Sequence, residues 1–153
     1  MALYLVQHGK CVSADIDPEK RLSSEGRDEV MRIAEDAKSY GVQVSLIQHS
    51  GKKRAKETAE IMYSVLQPEL EIEQLDGINP LDDVISIARK IDNQENRMLV
   101  GHLPFMERLA AYLITGIAEK PVFKFQNGGI LCLDKHPESH TWVIKWALLP
   151  IIK

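Results

Sequence analysis

Short apolar runs alternate along the chain with longer segments in which apolar residues recur every three or four positions. The runs over residues 2–7, 44–49 and 97–101 are rich in aliphatic and β-branched side chains, which is typical of buried strands. Each segment between them carries one apolar stripe, and such a stripe predicts an amphipathic helix. Because strands and helices alternate, the pattern predicts an α/β fold.

Four helices are predicted from this spacing. The first follows residues 22–26 and ends at Gly41, and the second begins after Lys53. The third covers residues 84–91, and Pro104 suits the first turn of the fourth. The positions expected to face the core in the four helices are Val30, Ile33, Ala34 and Ala37; Ala55, Ala59, Met62 and Leu66; Val84, Ile87, Ala88 and Ile91; and Phe105, Leu109, Tyr112 and Leu113.

The last third of the chain is predicted to consist of strands. Residues 122–125, 130–134 and 142–149 form apolar runs that a glycine pair and a proline-containing loop separate. A further short strand is predicted around Ile72. Together the elements predict a three-layer α/β/α sandwich with a mostly parallel, mixed central sheet.

Composition limits the kind of protein. The chain has 153 residues, of which 44% are hydrophobic and 27% charged, and this predicts a single domain over residues 1–153. The formal net charge of −3 argues against a general nucleic-acid or membrane-surface binder, so neither is an expected partner. The chain begins with a predicted strand and has no apolar run long enough to cross a bilayer, and we therefore expect a cytoplasmic protein.

Neither a disulfide framework nor a metal site is expected. Two cysteines, Cys11 and Cys132, are too few to build a framework. His136 and His140 have a spacing that metal ligands use, but their loop offers no clear third ligand. We interpret both histidines as surface residues.

Candidate chemistry lies at two histidines that follow two of the predicted strands. His8 comes directly after the first run, and His102 comes directly after residues 97–101. Ligands bind at the carboxyl ends of parallel strands, so the two side chains can converge. The cationic turn at residues 50–58 opens a helix and carries Arg54, whose guanidinium suits a phosphoryl group. A neutral His8 could act as the nucleophile that accepts this group.

Three ordered motifs resemble the histidine phosphatase (phosphoglycerate mutase-like) superfamily. They are Gln7-His8-Gly9, Ser50-x-x-x-Arg54-Ala55-x-x-Thr58 and Gly101-His102-Leu103-Pro104, and Leu22-Ser23-x-x-Gly26 resembles a fourth segment of that family. The short chain and its His-Leu-Pro segment look most like the SixA-type phosphohistidine phosphatases. The resemblance implies a phosphoglycerate mutase-like fold and catalysis that needs no metal or other cofactor. It also implies that His8 is the phosphorylated nucleophile and that Arg54 and His102 line the phosphate pocket. We expect substrate contacts from Gln7, Gly9, Ser50, Lys53 and Leu103.

Gln7 departs from the family pattern, which has arginine before the nucleophilic histidine. Loss of one charge-assisted hydrogen bond costs roughly 1.5–3 kcal/mol, or about one to two decades in rate. A nearby cation could restore the charge, and the candidates are Lys10, Lys20, Arg21, Lys52 and Lys53. The sequence therefore leaves two hypotheses, a weakened phosphatase and a member that binds phosphate or a phosphoprotein without turnover.

The segment after the third predicted strand contains no clear general acid. Residues 75–83 include Asp76, Asp82 and Asp83, but their spacing singles out none of them. Phosphomonoester hydrolysis needs an acid to protonate the leaving alkoxide, whereas phosphohistidine loses a neutral imidazole. This favours phosphohistidine on a protein, such as a histidine-containing phosphotransfer domain, and leaves a small-molecule phosphomonoesterase as the alternative.

Four further residues have structural interpretations beside functional ones. His49 should point to the opposite face of its strand from its neighbours, so a structural role is favoured. Asn127 belongs either to a turn or to the edge of the pocket. Trp142 and Trp146 are four residues apart in a predicted strand and are expected on one face, in the core.

Overall fold

The computed structural model describes residues 1–92 and 94–153, and within them the chain forms six strands and four helices. The strands and helices alternate as the sequence predicts. In chain order the elements are β1 (Leu3–Gln7), α1 (Ser24–Ser39), β2 (Leu46–His49), α2 (Lys53–Leu66), β3 (Glu73–Gln74), α3 (Val84–Ala88), β4 (Arg97–Gly101), α4 (Phe105–Thr115), β5 (Ile130–Lys135) and β6 (Trp142–Leu148).

The strands form one mixed sheet in the order β3-β2-β4-β1-β5-β6. The first four run parallel to one another, while β5 is antiparallel to β1 and β6 is antiparallel to β5. This confirms the predicted α/β fold and mostly parallel sheet. Strand β1 lies in the centre of the sheet. Because it is parallel to β2 and β4, the carboxyl ends of these three strands lie at the same edge of the sheet.

Apolar side chains of the sheet are buried on both faces. Tyr4 and Val6 pack with the residues of α1 and α2, whereas Leu3 and Leu5 pack with those of α3 and α4. Two-sided burial explains why the central strands are nearly continuous apolar runs. Each fully buried aliphatic side chain contributes about 1.5–3 kcal/mol. Among the described residues, no helix combines the length and apolarity that crossing a membrane requires.

The strand predicted over residues 122–125 is wrong. These residues form no strand in the structure, although Phe125 is buried and Phe123 packs edge-on against it at a ring-centroid distance of 5.0 Å. Both edges of β1 and of β5 already pair with other strands, so the segment covers the core without a ladder partner. Its apolar composition reflects burial alone.

The expectation that the two tryptophans share a face of β6 is also wrong. The pairing of β5 with β6 shifts between Cys132 and Leu133, and Lys145 is the extra residue on β6. An extra residue reverses the alternation of side chains. Trp146 therefore packs against the α1 and α2 side, whereas Trp142 is buried against the α3 and α4 side.

Candidate active site

The carboxyl ends of β1 and β4 bring His8 and His102 together. Gln7 pairs with Gly101 in the parallel register of the two strands, so the next residue of each strand leaves the sheet at the same level. The backbone N–H of His8 donates to the carbonyl of Gly101 at 2.9 Å. The two imidazole centroids lie 5.1 Å apart. The histidines thus converge at the edge of the sheet where ligands bind in this fold class.

His8 is held with one ring nitrogen occupied and the other available. Its Nδ1 lies 2.8 Å from the carbonyl oxygen of Gly9, which can only accept, so Nδ1 carries the proton. Nε2 makes no hydrogen bond to any residue that the structure describes. The side-chain amide of Asn127 donates to the His8 carbonyl at 2.9 Å and fixes the backbone from the other side.

Burial lowers the pKa of His8 below its ordinary value of 6.5. The hydrogen bond to Gly9 acts in the opposite direction, and the positive charges of Arg54 and Lys20 lower the pKa further. The ring is therefore neutral at pH 7, as the sequence analysis expects. Its Nε2 carries a free lone pair, which is the state that a nucleophilic histidine needs.

Thr58 joins the His8 loop to helix α2. Its hydroxyl accepts the backbone N–H of Gly9 at 2.9 Å and donates to the carbonyl of Arg54 at 2.8 Å. The side chain is completely buried. One hydroxyl thereby sets the distance between the nucleophile's loop and the first turn of α2. Thr58 belongs to the second motif, and its position four residues after Arg54 places both on one helix face, but nothing in the sequence alone assigns it this contact.

Ser50 orients His102. The serine hydroxyl lies 2.7 Å from Nε2 of His102 and also accepts the backbone N–H of Lys52 at 3.3 Å. Because this hydroxyl already accepts from Lys52, we assign its proton to the bond with Nε2, which leaves the imidazole proton on Nδ1. That Nδ1 is buried and has no hydrogen-bond partner among the described residues. It is a donor ready for an anionic oxygen.

His102 is neutral in the ligand-free protein. Burial is the largest cause that lowers its pKa from 6.5 to about 3, and the neighbouring His8 ring and the positive charges of Arg54 and Lys52 lower it further. The sequence analysis treats His102 as part of the phosphate pocket. The structure supplies a neutral N–H donor at this position, so the cationic charge beside it comes from Arg54.

Arg54 lies in the first turn of α2, where the helix presents its positive end. Lys52 is the N-cap residue, and the first turn contains no carboxylate that would neutralise this end. Arg54 forms no ion pair with the described residues. A guanidinium and free backbone N–H groups at a helix N-terminus are suited to an anion.

Gly9, expected to contact substrate, is occupied by contacts within the protein. Its N–H donates to Thr58 and its carbonyl accepts from His8. A Cβ at this position would lie 2.7 Å from Cγ2 of Val30, so helix α1 packs directly against the glycine. Gly9 positions the nucleophile.

Lys53 and Leu103 also make contacts that the sequence does not reveal. The ammonium of Lys53 lies 3.2 Å from Asp17 and 3.5 Å from Glu19, so it ties the loop before α1 to helix α2. Leu103 is half-buried and packs against the core cluster of α3 and α4. Both residues adjoin the site through their neighbours Arg54 and His102.

Gln7 brings no charge to the site. Its backbone carbonyl accepts the N–H of Gly128 at 2.8 Å. Its side-chain Oε1 is buried and has no hydrogen-bond partner among the described residues. A buried amide oxygen without a donor is unusual, and the side chain offers no positive charge to an anion in the pocket.

The residues left open in the sequence analysis have structural functions here. His49 is buried, and its Nδ1 accepts the N–H of Gly51 at 3.0 Å, which supports the turn before α2. Asn127 holds the backbone of His8, so it is both a turn residue and a part of the site. His49 follows the structural interpretation favoured above.

The carboxylates after β3 accept hydrogen bonds within their own stretch of the chain. Asp82 accepts the N–H of Asn79 at 2.8 Å, and Asp83 accepts the N–H of Ile85 at 3.0 Å at the start of α3. That backbone hydrogen bond lowers the pKa of Asp83, which keeps it ionised and makes it a poor proton donor. Asp76 lies 3.4 Å from the amide of Gln74. Within the described residues, no three His, Cys, Asp or Glu side chains form a cluster suited to a metal ion.

Comparison with known proteins finds similar folds among phosphatases. No protein-family model matches the sequence, and no curated protein matches it significantly. The protein histidine phosphatase SixA, solved with tungstate, is 26% identical with a TM-score of 0.83, over 98% of this chain and 97% of that chain. A protein from Agrobacterium tumefaciens, described as a phosphohistidine phosphatase SixA, is 23% identical with a TM-score of 0.77, and 97% of each chain is covered.

A mycobacterial glucosyl-3-phosphoglycerate phosphatase, solved with VO3, shares the fold at lower identity. It is 15% identical with a TM-score of 0.69, over 95% of this chain and 97% of that chain. The shared fold and the paired histidines agree with the resemblance drawn from the sequence motifs. The chain thus has the fold of the histidine phosphatase (phosphoglycerate mutase-like) superfamily, and its similarity to SixA supports a phosphatase.

Proposed function

We propose that the protein removes phosphate from phosphohistidine on another protein, through a covalent phosphohistidine on His8. The observation that carries this proposal is the neutral imidazole of His8, whose Nδ1 is bound to Gly9 and whose Nε2 is free, with the centroid of the His102 ring 5.1 Å from its own. Arg54 and the N-terminus of α2 supply positive charge to the phosphoryl oxygens.

The reaction divides into two displacements at phosphorus. In the first, the Nε2 lone pair of His8 forms a bond to phosphorus while the substrate N–P bond breaks, and the electron pair leaves with the substrate nitrogen. In the second, water attacks the same phosphorus, the electron pair returns to Nε2, and inorganic phosphate forms as water gives its proton to solvent. The hydrogen bond from Nδ1 to Gly9 persists through both steps, so His8 keeps the same orientation.

The leaving group is the reason for preferring phosphohistidine. A phosphohistidine protonated on its distal nitrogen releases a neutral imidazole, and the site then needs no acid to protonate it. Asp82 and Asp83 accept backbone N–H groups of their own segment, and the lowered pKa of Asp83 makes it unsuited to donate a proton. Asp76 accepts from the side-chain amide of Gln74. A sugar phosphate would release an alkoxide and would require such an acid.

The buried, unpartnered Oε1 of Gln7 favours a second candidate function. Without an arginine there, the site could bind phosphate or a phosphorylated protein and turn it over slowly or not at all. Calorimetric titration with vanadate, combined with a search for trapped phosphoenzyme, separates the two candidates, because a pure binder releases heat but never forms a labelled His8.

The substrate is tested with a phosphotransfer domain phosphorylated on histidine and with small phosphomonoesters. We expect faster phosphate release from the phosphotransfer domain and none from either substrate with His8→Ala. Activity should persist in EDTA, since the proposal requires no metal. Faster release from the phosphomonoesters would overturn the substrate assignment and favour a small-molecule phosphatase.

A further inference from the structure

The loop before α1 is attached to the first two turns of α2 at two points. Asp17 accepts from the ammonium of Lys53 at 3.2 Å, and the N–H of Leu22 donates to Glu57 at 2.9 Å. The two contacts lie one helical turn apart on α2 and flank Arg54. The loop residues between the two attachments are therefore held beside the anion-binding end of the helix.

Lys20 lies between these two attachments. It adopts a left-handed backbone conformation, with φ of 54°, and its N–H donates to the carbonyl of Asp17 at 2.8 Å. The side chain is exposed and forms no ion pair with the described residues. A left-handed conformation at a residue other than glycine is uncommon, and here the surrounding contacts maintain it.

Three of the other candidate cations are committed to carboxylates. Lys10 lies 2.9 Å from Glu25, Arg21 lies 3.7 Å from Asp17, and Lys53 pairs with the same aspartate. Each of these charges is already balanced within the loop and its neighbours. Lys20 is different, because its charge acts on the imidazole of the nucleophile and lowers the pKa of His8.

Lys52 is the other candidate without an ion pair among the described residues, and its charge acts on His102. It is the N-cap residue of α2, on the side of the helix that adjoins Ser50. Lys20 is therefore the candidate on the His8 side of the pocket, where Gln7 leaves a charge missing.

We propose that Lys20 replaces the cation that is absent at position 7, by binding a phosphoryl oxygen with its ammonium from the attached loop over residues 17–22. This inference rests on the proposed function, because it assumes that the phosphoryl group lies between His8 and Arg54. Lys20 is exposed on this loop, so its ammonium would approach the phosphoryl group from solvent. A single point charge cannot reproduce a bidentate guanidinium, so the replacement is partial.

The test is vanadate binding measured by calorimetry, which requires no turnover. We expect Lys20→Gln to weaken vanadate binding about ten- to a hundredfold, the range for loss of one charge-assisted hydrogen bond. The matched control is Arg21→Gln, which removes a cation from the same loop and should change binding less than about threefold. Lys20→Arg should retain binding, and Gln7→Arg should restore it in the Lys20→Gln protein.

A second readout follows the nucleophile itself. Since the charge of Lys20 lowers the pKa of His8, Lys20→Gln should raise that pKa in an NMR titration, while Arg54 and His102 still face the ring. If Lys20 only maintained the conformation of the loop, Lys20→Gln would leave the pKa of His8 unchanged. Arg21→Gln should leave it unchanged.

Unchanged vanadate binding in Lys20→Gln would overturn the inference, and so would equal losses in Lys20→Gln and Arg21→Gln. Absence of vanadate binding by the unmodified protein would overturn it as well. The proposed function has a separate outcome. Vanadate binding that depends on Lys20, without any phosphorylated His8, would support the inference and contradict the catalytic proposal.

Discussion

Replacing Thr58 by valine tests how the site is assembled. The change keeps the size and β-branching of the side chain but removes the hydroxyl that accepts from Gly9 and donates to Arg54. It also leaves the N–H of Gly9 without its partner, at a position that is buried. No charge is altered, so the electrostatic setting of His8 stays the same.

The expected cost follows from the unsatisfied donor. A buried N–H that loses its partner costs about 1–3 kcal/mol, and a loss of about 2 kcal/mol lowers the melting temperature of a chain of this size by roughly 4–8 °C. Urea unfolding gives the free energy directly. Because the hydroxyl fixes His8 relative to Arg54, we also expect kcat/KM for a phosphohistidine substrate to fall about tenfold or more.

Thr115→Val is the matched control. The Thr115 hydroxyl also donates to the carbonyl four residues earlier, at 2.7 Å, and accepts the N–H of Ile117 at 3.0 Å, but it lies at the exposed end of α4. For this variant we expect the free energy of unfolding to fall by at most about 1 kcal/mol and the activity to stay unchanged, since water can replace the lost contacts. Thr58→Ser, which keeps the hydroxyl, should restore most of the activity. The reasoning is refuted if Thr58→Val and Thr115→Val have the same stability and the same kcat/KM.

Three further changes test other parts of the site. The pKa of His102, about 3, lies below the value of 6.5 expected in the unfolded chain, so unfolding takes up a proton and the free energy of unfolding falls as the pH drops below 6.5. By pH 5 this contribution amounts to a loss of about 2 kcal/mol. Urea unfolding of His102→Asn should lack this loss. Ser50→Ala removes the hydroxyl that lies 2.7 Å from Nε2 of His102. It should lower kcat/KM about tenfold with little change in vanadate affinity, and an unchanged kcat/KM would contradict the orienting role of Ser50. Gly26→Ala would place a Cβ 2.0 Å from the carbonyl oxygen of Lys10, so thermal unfolding should show a stability loss of at least about 2 kcal/mol. Its control, Ser24→Ala at an exposed position, should lower the stability by less than about 1 kcal/mol.

The parts of the fold that the sequence predicts are those with a strong local pattern. Strands β1, β2 and β4 are buried on both faces, so their apolar runs are visible without any knowledge of their partners. Residues 122–125 show the same pattern and form no strand, because a strand also needs a free neighbouring edge. Strand pairing depends on the whole sheet and cannot be predicted from the residues of the segment alone.

The tryptophans of β6 show a second limit. Alternation along a strand predicts that Trp142 and Trp146 share a face, but the bulge at Lys145 separates them. Bulges arise from the fit between two strands, and neither strand reveals this one by its composition.

The site was predictable in its chemistry and less so in its contacts. The motifs point to His8, Arg54 and His102, and the register of β1 with β4 places the two histidines side by side. The contacts of Lys53 and Thr58 join segments far apart in sequence, so spacing alone could not assign them. Asn127 is distant from His8 in the chain and lies beside it in the fold.

The central claim concerns one atom, Nε2 of His8. The most direct measurement traps the protein after brief exposure to a phosphohistidine substrate, locates the phosphorylated residue by mass spectrometry and assigns the modified nitrogen by NMR. Because Nδ1 is bound to the carbonyl of Gly9, we predict phosphate on Nε2 of His8 alone. Phosphate on Nδ1, phosphate on His102, or hydrolysis with no phosphorylated histidine at all would contradict the account.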